Sequence, residues 1–311
     1  YSATDLSNIP VLKKNAQKEN YKVKIFKNTG PTYWSIWFNI THKNETKRNV
    51  FHDVRFRKAM SLAINREEIN NKVYFGMGTP AQKSVLPTSK YYVEGAINAY
   101  TDYKPEKAKQ YLDEMGMKDI DDDGFRETPN GKDFVMKAEN WDPRASKIAE
   151  LCVSYWENVG IKTNFKSVTW NANWQRRQAY ESEVFFAFDG PVYTMNFENN
   201  PGHYAPVSSG SLFQVINTWP AYYDWYASDG EKGMEPPKKI KKLHEYALTV
   251  MNSTDEKKKI KAGKELSRSM AENLWSLATV RFFPQPNVFN DKLKNIPETG
   301  IGYGVQLYFN K

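Results

Sequence analysis

Residues 134–188 read FVMKAENWDPRASKIAELCVSYWENVGIKTNFKSVTWNANWQRRQAYESEVFFAF and carry the most regular pattern in the chain. Three short runs in this segment, at 134–138, 161–168 and 184–188, are predicted as strands, and the last has the apolar and aromatic composition that is typical of a buried strand. The residues between the runs are long enough for a helix in each gap. The segment therefore predicts strands and helices that alternate around one sheet.

Both connecting segments carry signals for helices. Asp142-Pro143 opens the first helix, and Gly160 ends it. Thr169 is placed to cap the second helix, which is predicted over residues 170–181. This order predicts a right-handed βαβαβ unit with a mostly parallel sheet, so the predicted fold class is α/β.

The segments on either side differ from this core. Residues 21–40 have an alternating pattern that predicts two strands on either side of a Gly30-Pro31 turn. Residues 274–283 predict a further strand. One helix is predicted from Asp53 to about Tyr74. Residues 189–235 are rich in glycine, proline, asparagine, tryptophan and tyrosine without a sustained period, which predicts a long irregular segment with a functional role.

The composition excludes several classes of protein. With 311 residues, of which 40% are hydrophobic and 14% aromatic, the chain can bury a substantial core. No apolar run approaches the roughly 18 residues of a membrane-spanning helix. The net charge of +8 comes largely from lysine-rich helical runs interleaved with acidic residues. Such runs are typical of solvated helix faces, so we expect no nucleic-acid partner.

The sequence also argues against catalysis. Its four histidines form no HExxH or His-x-His arrangement, and no nucleophile elbow, phosphate-binding loop or dinucleotide-binding glycine motif occurs. The single cysteine, Cys152, lies in an apolar helical stretch and is interpreted as an inert core thiol. We expect a protein that is not an enzyme and that requires no cofactor.

An acidic loop is similar to the first half of a calcium-binding loop. Carboxylates occupy its positions one, three and five: Asp119, Asp121 and Asp123. Gly124 at position six permits the sharp turn, and Glu127 falls at position nine. Asn130 replaces the bidentate glutamate of position twelve. Asp119, Asp121 and Asp123 are therefore candidate ligands for a structural calcium ion, and the alternative is an Asp- and Gly-rich turn without an ion.

Aromatic side chains supply the main functional signal. Trp170 and Trp174 lie four residues apart on the short predicted helix and therefore share one face. Aromatic rings with polar tips bind sugars, peptides and other organic solutes by stacking and hydrogen bonding. The predicted ligand-binding residues are Trp170, Trp174, Asp189, Tyr193, Trp219, Tyr222 and Trp225. The alternative for each aromatic ring is that it packs in the core or anchors a loop and does not contact a ligand.

Five segments carry a resemblance to a known family. Residues 51–66 read FHDVRFRKAMSLAINR and residues 76–81 read GMGTPA. YKPEKA at 103–108, VGIK at 159–162 and NIP at 295–297 follow in that order. In order and spacing, these segments resemble the family 5 extracellular solute-binding proteins of ABC importers, which include oligopeptide-, dipeptide- and oligosaccharide-binding members.

The resemblance implies two α/β lobes joined by a hinge, with the solute held between them by domain closure. This chain would be the C-terminal part of such a protein. It would form a type II periplasmic-binding-protein-like lobe with a mixed, mostly parallel sheet, flanked by strands of the hinge and first lobe. Residues 1–50 would be hinge-crossing and first-lobe strands, residues 51–275 the second lobe, and residues 276–311 the return strands.

The resemblance further implies a monomer on the extracellular side of the cytoplasmic membrane, periplasmic or lipid-anchored, that delivers a solute to ABC importer membrane subunits. Peptide-binding members carry an acidic residue in a Trp-x-x-Asp-Tyr-like segment, where this chain reads FAFDGPVY at 186–193. Residues 225–237 look more like the sugar-associated branch. We therefore expect an oligosaccharide ligand, with an oligopeptide as the alternative. A carbohydrate-active enzyme fragment is the alternative from another class.

Overall fold

The computed structural model describes residues 2–3, 6–28, 34–188, 194–207, 218–282, 284–296, 301–303 and 306–308. The strands are β1 (Ser2–Ala3), β2 (Tyr21–Asn28), β3 (Trp34–Phe38), β4 (Thr79–Pro80), β5 (Met136–Asn140), β6 (Thr163–Ser167), β7 (Val184–Phe188), β8 (Ser276–Ala278), β9 (Val280–Arg281), β10 (Pro284–Asn290), β11 (Ile301–Tyr303) and β12 (Gln306–Tyr308). The α-helices are α1 (Ile9–Asn15), α2 (Glu45–His52), α3 (Val54–Leu62), α4 (Arg66–Tyr74), α5 (Pro105–Glu114), α6 (Ser146–Glu157), α7 (Trp170–Gln178), α8 (Thr194–Asn199), α9 (Pro220–Ala227), α10 (Lys238–Asn252) and α11 (Glu256–Asn273).

The central sheet has the strand order β6-β5-β7-β3-β8. Strand β5 pairs in parallel with both of its neighbours, with Met136 opposite Thr163 on β6 and Ala138 opposite Val184 on β7. Helices α6 and α7 connect the three strands. The predicted α/β class and the parallel βαβαβ core are therefore confirmed.

Two strands from the flanking segments complete this sheet in the antiparallel sense. Strand β3 pairs with β7, so that Trp34 lies opposite Phe188 and Phe38 opposite Val184, and β8 pairs with the other side of β3. The sheet is therefore mixed. We call the end at which β5, β6 and β7 finish the carboxyl end, and the end at which they start the amino end.

A second sheet joins the two ends of the chain, with the order β1-β10-β2-β11-β12. Its longest pairing is antiparallel, between β10 and β2, and runs from Pro284 opposite Lys27 to Asn290 opposite Tyr21. Strands β4 and β9 form a short two-stranded pair. Segments distant in sequence are thus held together outside the central sheet.

The two faces of the central sheet bury different amounts of apolar surface. One face, which carries Ile36, Phe38 and Phe186, belongs to the large core. The opposite face carries a small cluster of Trp37, Phe185 and Ala187. Alternation along β3 and β7 sends neighbouring residues to opposite faces, because successive side chains of a strand point in opposite directions.

Three predicted boundaries are corrected. The helix predicted over 53–74 is two helices, α3 and α4, because the Asn65 side chain accepts a hydrogen bond from the Glu68 N–H and starts a new helix. Residues 41–49, whose polar composition predicts turns, contain most of a further helix, α2, which the Asn44 side chain caps. Residues 220–227, predicted as irregular, form α9. Across the described ranges, the helices include none with the length and apolar character needed to cross a membrane.

Candidate functional site

Three tryptophans meet at the carboxyl end of the central sheet. Trp141 directly follows β5, and Trp170 and Trp174 lie on α7, which follows β6. The Trp141 and Trp170 ring centroids are 5.5 Å apart in an edge-to-face arrangement, and the Trp170 and Trp174 rings stack at 5.8 Å with an interplanar angle of 26°. We call these three residues the tryptophan platform. Trp170 is 40% exposed, so the platform presents an aromatic surface to solvent.

Local sequence places the platform at this end. The Thr169 side chain accepts a hydrogen bond from the Ala172 N–H and caps α7, so the helix begins where β6 has just ended. Because Trp170 and Trp174 are four residues apart, their rings lie one above the other on one helix face. The predicted pairing of these two rings is therefore present.

A buried arginine lies beneath the platform. The Arg177 guanidinium is 3.9 Å from the Phe185 ring centroid on the sheet and 5.7 Å from the Trp170 ring centroid. Burial lowers the pKa of Arg177 to about 9, and the nearby Glu139 carboxylate opposes this shift. The guanidinium thus remains charged at neutral pH and connects the sheet to the exposed ring by cation–π contacts.

A second arginine lies beside the platform and pairs with a buried carboxylate. Asp142 is 4% exposed, and its Oδ2 is 2.5 Å from Nη2 of Arg144. Burial alone would raise the pKa of Asp142, but the hydrogen bonds from Arg144 outweigh burial, and the pKa is lowered. The Arg144 guanidinium also lies 5.8 Å from the Trp34 ring centroid. Asp142 is therefore an ionised hydrogen-bond acceptor whose charge is compensated.

A further carboxylate near the platform is also paired. Glu139 Oε1 lies 2.8 Å from Nε of Arg176, and its Oε2 accepts a hydrogen bond of 3.1 Å from the Asn173 amide. Both Arg176 and Asn173 belong to α7. These contacts fix α7 against β5, so the helix that carries two platform rings is held in place by the sheet.

Two of the predicted ligand-binding residues lie elsewhere. Trp219 and Tyr222 are 1% and 4% exposed and belong to the large core, where the Trp219 ring packs at 5.4 Å against Trp275. Trp219 immediately precedes helix α9, and Tyr222 lies on it. This helix meets the amino end of the sheet, because the Ala221 N–H donates to Thr41 Oγ1 just beyond β3. The structure does not bring them together with the platform.

Trp225 lies on the same helix as Tyr222 and is half-buried. Its ring contacts Tyr226 edge-to-face at 5.0 Å, and the Lys241 ammonium lies 5.1 Å from its centroid. Trp225 is therefore also distant from the carboxyl end. The last two predicted ligand-binding residues, Asp189 and Tyr193, lie outside the described residues.

Three residues of this region were not predicted as site residues: Trp141, Asp142 and Arg177. Trp141 and Asp142 lie between the strand predicted at 134–138 and the helix predicted to start at Asp142-Pro143, and in the structure they directly follow β5. Residues at the carboxyl ends of parallel strands commonly form binding sites, so that signal was available for two of them. Arg177 gave no such signal, because its contacts with Phe185 and Trp170 depend on how α7 packs on the sheet.

The acidic loop brings together a set that differs from the predicted one. Ligand oxygens of Asp119, Asp121 and Glu127 all lie within 4.8 Å of one another. Asp123 is outside this group, because its Oδ1 accepts a hydrogen bond from the Phe125 N–H and its Oδ2 lies 3.5 Å from Lys162. Hard carboxylate oxygens at this spacing suit a calcium ion. Glu127, at position nine, takes the place predicted for Asp123.

Known proteins share this architecture. The heme-binding protein A of Haemophilus influenzae is 34% identical over 173 residues, which cover 54% of this chain and 27% of that protein. The structure of an oligopeptide-binding protein OppA is similar with a TM-score of 0.78 and 26% identity, covering 96% of this chain and 48% of that one. The periplasmic binding protein MelB of Agrobacterium fabrum C58 in complex with stachyose has the same fold, with a TM-score of 0.72, 16% identity and coverage of 94% and 44%.

The similar region covers less than half of each of these proteins. The family model described as bacterial extracellular solute-binding proteins, family 5, middle, matches residues 2–205, which is more than half of this chain. The relatives are named as binding proteins for different ligands. By sequence and by fold, the chain belongs to the bacterial extracellular solute-binding proteins of family 5.

Proposed function

We propose that this chain is part of the solute-binding component of an ABC importer and has no chemistry of its own. Family membership supports this function. We propose further that the protein acts as a monomer on the extracellular side of the cytoplasmic membrane, periplasmic or lipid-anchored, and delivers its solute to the importer's membrane subunits. The solute would contact the carboxyl end of the central sheet, where the tryptophan platform lies.

Capture would depend on two lobes. We propose residues 51–275 as the second lobe and residues 1–50 and 276–311 as the segments that run to and from the hinge and first lobe. The second sheet supports this division for β2 and β10, because it is separate from the central sheet and gathers both ends of the chain, whereas β3 and β8 of the same segments pair within the central sheet. A solute that touches both lobes favours the closed state by its higher affinity for that state.

We propose an oligosaccharide as the solute. The observation that carries this proposal is the exposed Trp170 ring, stacked on Trp174 and supported from below by Arg177. Flat aromatic faces suit the C–H faces of pyranose rings. Asp142 would accept hydrogen bonds from hydroxyl groups. Asp189 and Tyr193 remain proposed ligand contacts on the basis of the sequence.

An oligopeptide is the second candidate solute, and the similarity to an oligopeptide-binding protein favours it. A peptide amine needs a carboxylate that is available to it. Asp142 and Glu139 are each paired with an arginine, which makes both less suited to that role. The platform accommodates an aromatic or apolar peptide side chain as readily as a sugar. Binding measurements must therefore distinguish an oligosaccharide ligand from an oligopeptide ligand.

A thermal-shift screen of the complete polypeptide that carries this chain tests the proposal. Cello-, xylo- and manno-oligosaccharides are compared with peptides of two to five residues, because a specific ligand raises the melting temperature by mass action. We expect stabilisation by one oligosaccharide series, weakened in a Trp170→Ala variant and kept in a Trp225→Ala variant. Stabilisation by peptides alone would establish the second candidate. Hydrolysis of the bound oligosaccharide would instead establish a carbohydrate-active enzyme.

We also propose that the acidic loop holds a structural calcium ion. Asp119, Asp121 and Glu127 would supply carboxylate oxygens. Glu127 is 7% exposed and its Oε2 accepts a hydrogen bond of 2.6 Å from the Ile120 N–H, so one ligand is fixed by the loop itself. The ion would order the connection between α5 and β5 and would take no part in solute binding.

A further inference from the structure

A pocket opens at the amino end of the central sheet, far from the tryptophan platform. It lies where α2 ends and α3 begins, and α9 and the turn after α9 close its other side. Its lining residues are Arg48, Asn49, His52, Asp53, Tyr222 and Met234. The Met234 N–H donates to the Ala221 carbonyl at 2.9 Å, which holds this side of the pocket against α9.

Tyr222 contributes a phenol hydroxyl to this pocket. Its side chain is 4% exposed and belongs to the large core, and it lines the pocket. A tyrosine hydroxyl that lines a pocket can donate a hydrogen bond to a ligand there.

Arg48 provides a fixed positive charge beside this hydroxyl. Its Nη1 donates to the His42 carbonyl at 2.9 Å, which anchors the guanidinium to the loop before α2. Burial raises the pKa of Tyr222, and the positive charge of Arg48 acts against that shift. Both side chains line the same pocket, so a ligand there can contact the guanidinium and the phenol together.

His52 lies in a positive field. Its pKa is lowered by burial first, and then by the nearby charges of Arg57, Lys239 and Arg48, while Asp53 opposes the shift. Arg57 and Lys239 are held in place by hydrogen bonds to Asn273, at 2.8 Å and 2.6 Å respectively. Three cations from α2, α3 and α10 therefore act on one imidazole.

The carboxylate in the lining does not neutralise this field. Asp53 caps α3 through the Arg55 N–H, and its two oxygens accept further hydrogen bonds from the Arg55 guanidinium, the shortest of which is 2.6 Å. The pKa of Asp53 is lowered, because these hydrogen bonds outweigh burial. Asp53 is already paired, and a cationic ligand would also face the positive charges around it.

We propose that this pocket binds an oxyanion, a carboxylate or a phosphate group, held by the Arg48 guanidinium, the His52 imidazole N–H and the Tyr222 hydroxyl. A guanidinium is the side chain best matched to the planar or tetrahedral oxygens of such groups. Met234 offers apolar contact to the remainder of the ligand. The site is independent of the proposed solute site, because the two lie at opposite ends of the sheet.

The test is an NMR titration of His52 in the full chain, with and without inorganic phosphate or acetate at constant ionic strength. A bound anion raises the pKa of the imidazole, because it stabilises the charged form. We expect this rise with at least one of the two anions. A response to phosphate alone assigns the site to phosphate groups, and a response to acetate alone assigns it to carboxylates.

Two variants and a control identify the ligating groups. We expect Arg48→Gln to weaken anion affinity about tenfold or more, because it removes a charge-assisted hydrogen bond. Tyr222→Phe keeps the core packing and should weaken affinity by a smaller factor. Arg268→Gln removes an exposed guanidinium on α11 and should change nothing. The proposal is overturned if neither anion shifts the His52 pKa, or if the shift persists in both Arg48→Gln and Tyr222→Phe.

Discussion

The two ends of the central sheet contain similar residues in different surroundings. At the carboxyl end, Trp170 and Trp174 stack on the outside of α7, and the exposed face of Trp170 meets solvent. At the amino end, Trp219 and Tyr222 are covered by the large core. In sequence, both pairs are aromatic residues in or near short helices. The comparison shows that exposure, rather than residue type, separates a binding surface from a core anchor.

The difference has a physical origin in how each helix packs. Helix α7 lies on the face of the sheet that carries only a small apolar cluster, so its tryptophans find little to bury them. The start of helix α9 lies where Ile40 and Trp275 join the main core, so Trp219 and Tyr222 are enclosed. A tryptophan that is left half in water can contribute its ring face to a ligand.

The largest expected effect is on stability. Trp219→Ala should lower the free energy of unfolding by about 3–5 kcal/mol, because it leaves a large cavity beside Trp275. Trp170→Ala should lower the free energy of unfolding by less, about 1 kcal/mol, since that residue is already 40% exposed and its removal leaves no enclosed cavity. Urea denaturation of the two variants measures the difference. Equal losses would contradict the distinction between the two ends.

A calcium titration should change stability at the amino end without changing solute binding. The acidic loop precedes β5, so its ion would lie at that end of the sheet. We expect calcium to raise the melting temperature. At a calcium concentration a hundredfold above Kd, the free energy of unfolding should rise by about 2.7 kcal/mol.

The neighbouring aspartates supply a matched control for this titration. Asp121→Asn should abolish the calcium effect, because it removes a ligand of the three-carboxylate group. Asp122→Asn should retain it, since Asp122 is outside that group. An unchanged response in Asp121→Asn would remove the loop from consideration as the calcium site.

At the carboxyl end, the expected effect is on affinity. Trp170→Ala should weaken oligosaccharide binding about tenfold, which corresponds to about 1.4 kcal/mol, because the stacking surface is lost. Trp225→Ala, a half-buried tryptophan at the other end, should leave affinity unchanged. Isothermal titration calorimetry compares both with the parent protein. A loss in Trp225→Ala that matches the loss in Trp170→Ala would place the ligand elsewhere.

The smallest expected effect is a pH dependence at the amino end. His42 Nε2 lies 3.2 Å from the Glu181 carbonyl, to which it donates when neutral, and its Nδ1 accepts from the Asn44 N–H at 3.0 Å. Burial lowers the pKa of His42, so the unfolded chain binds the proton first as the pH falls below about 6.5. This contribution to stability is therefore present above that pH and is lost as the pH falls towards the folded pKa.

A variant isolates this histidine from the other titrating groups. His42→Gln cannot take up the proton, so the difference in unfolding free energy between it and the parent should narrow from about pH 7.5 to about pH 5.5. Urea denaturation at both pH values gives that difference. A difference that stays constant would show that His42 does not titrate in this range.

Much of the fold followed from local patterns. Strand β7 lies at its predicted residues, and Thr169 caps the helix that it was expected to cap. The same reasoning failed at Asn65, where the structure has two helices and one was predicted. An asparagine side chain can cap a new helix and so compete with continuation of the previous one, but a single asparagine is a weak sequence signal. The reasoning also failed at α9, where only Pro220, Ala221 and Tyr222 are buried and the apolar residues have no helical period.

The site was predictable only in part. The pairing of Trp170 with Trp174 followed from helix geometry. The burial of Trp219, the contact of Arg177 with two rings, and the replacement of Asp123 by Glu127 in the acidic group did not. Each of these depends on segments that are distant in sequence or on the path of a loop, and no spacing rule reports them.

By itself, the sequence determined the alternating strands and helices, the parallel order of β5, β6 and β7, and the proximity of Trp170 to Trp174. These depend on local periodicity and on capping, which act over a few residues. Only the tertiary structure decided which aromatic residues remain in contact with water. Burial depends on how the elements pack together, as with α7 on β7 and α9 beside Trp275, and those contacts form only when the whole sheet is assembled.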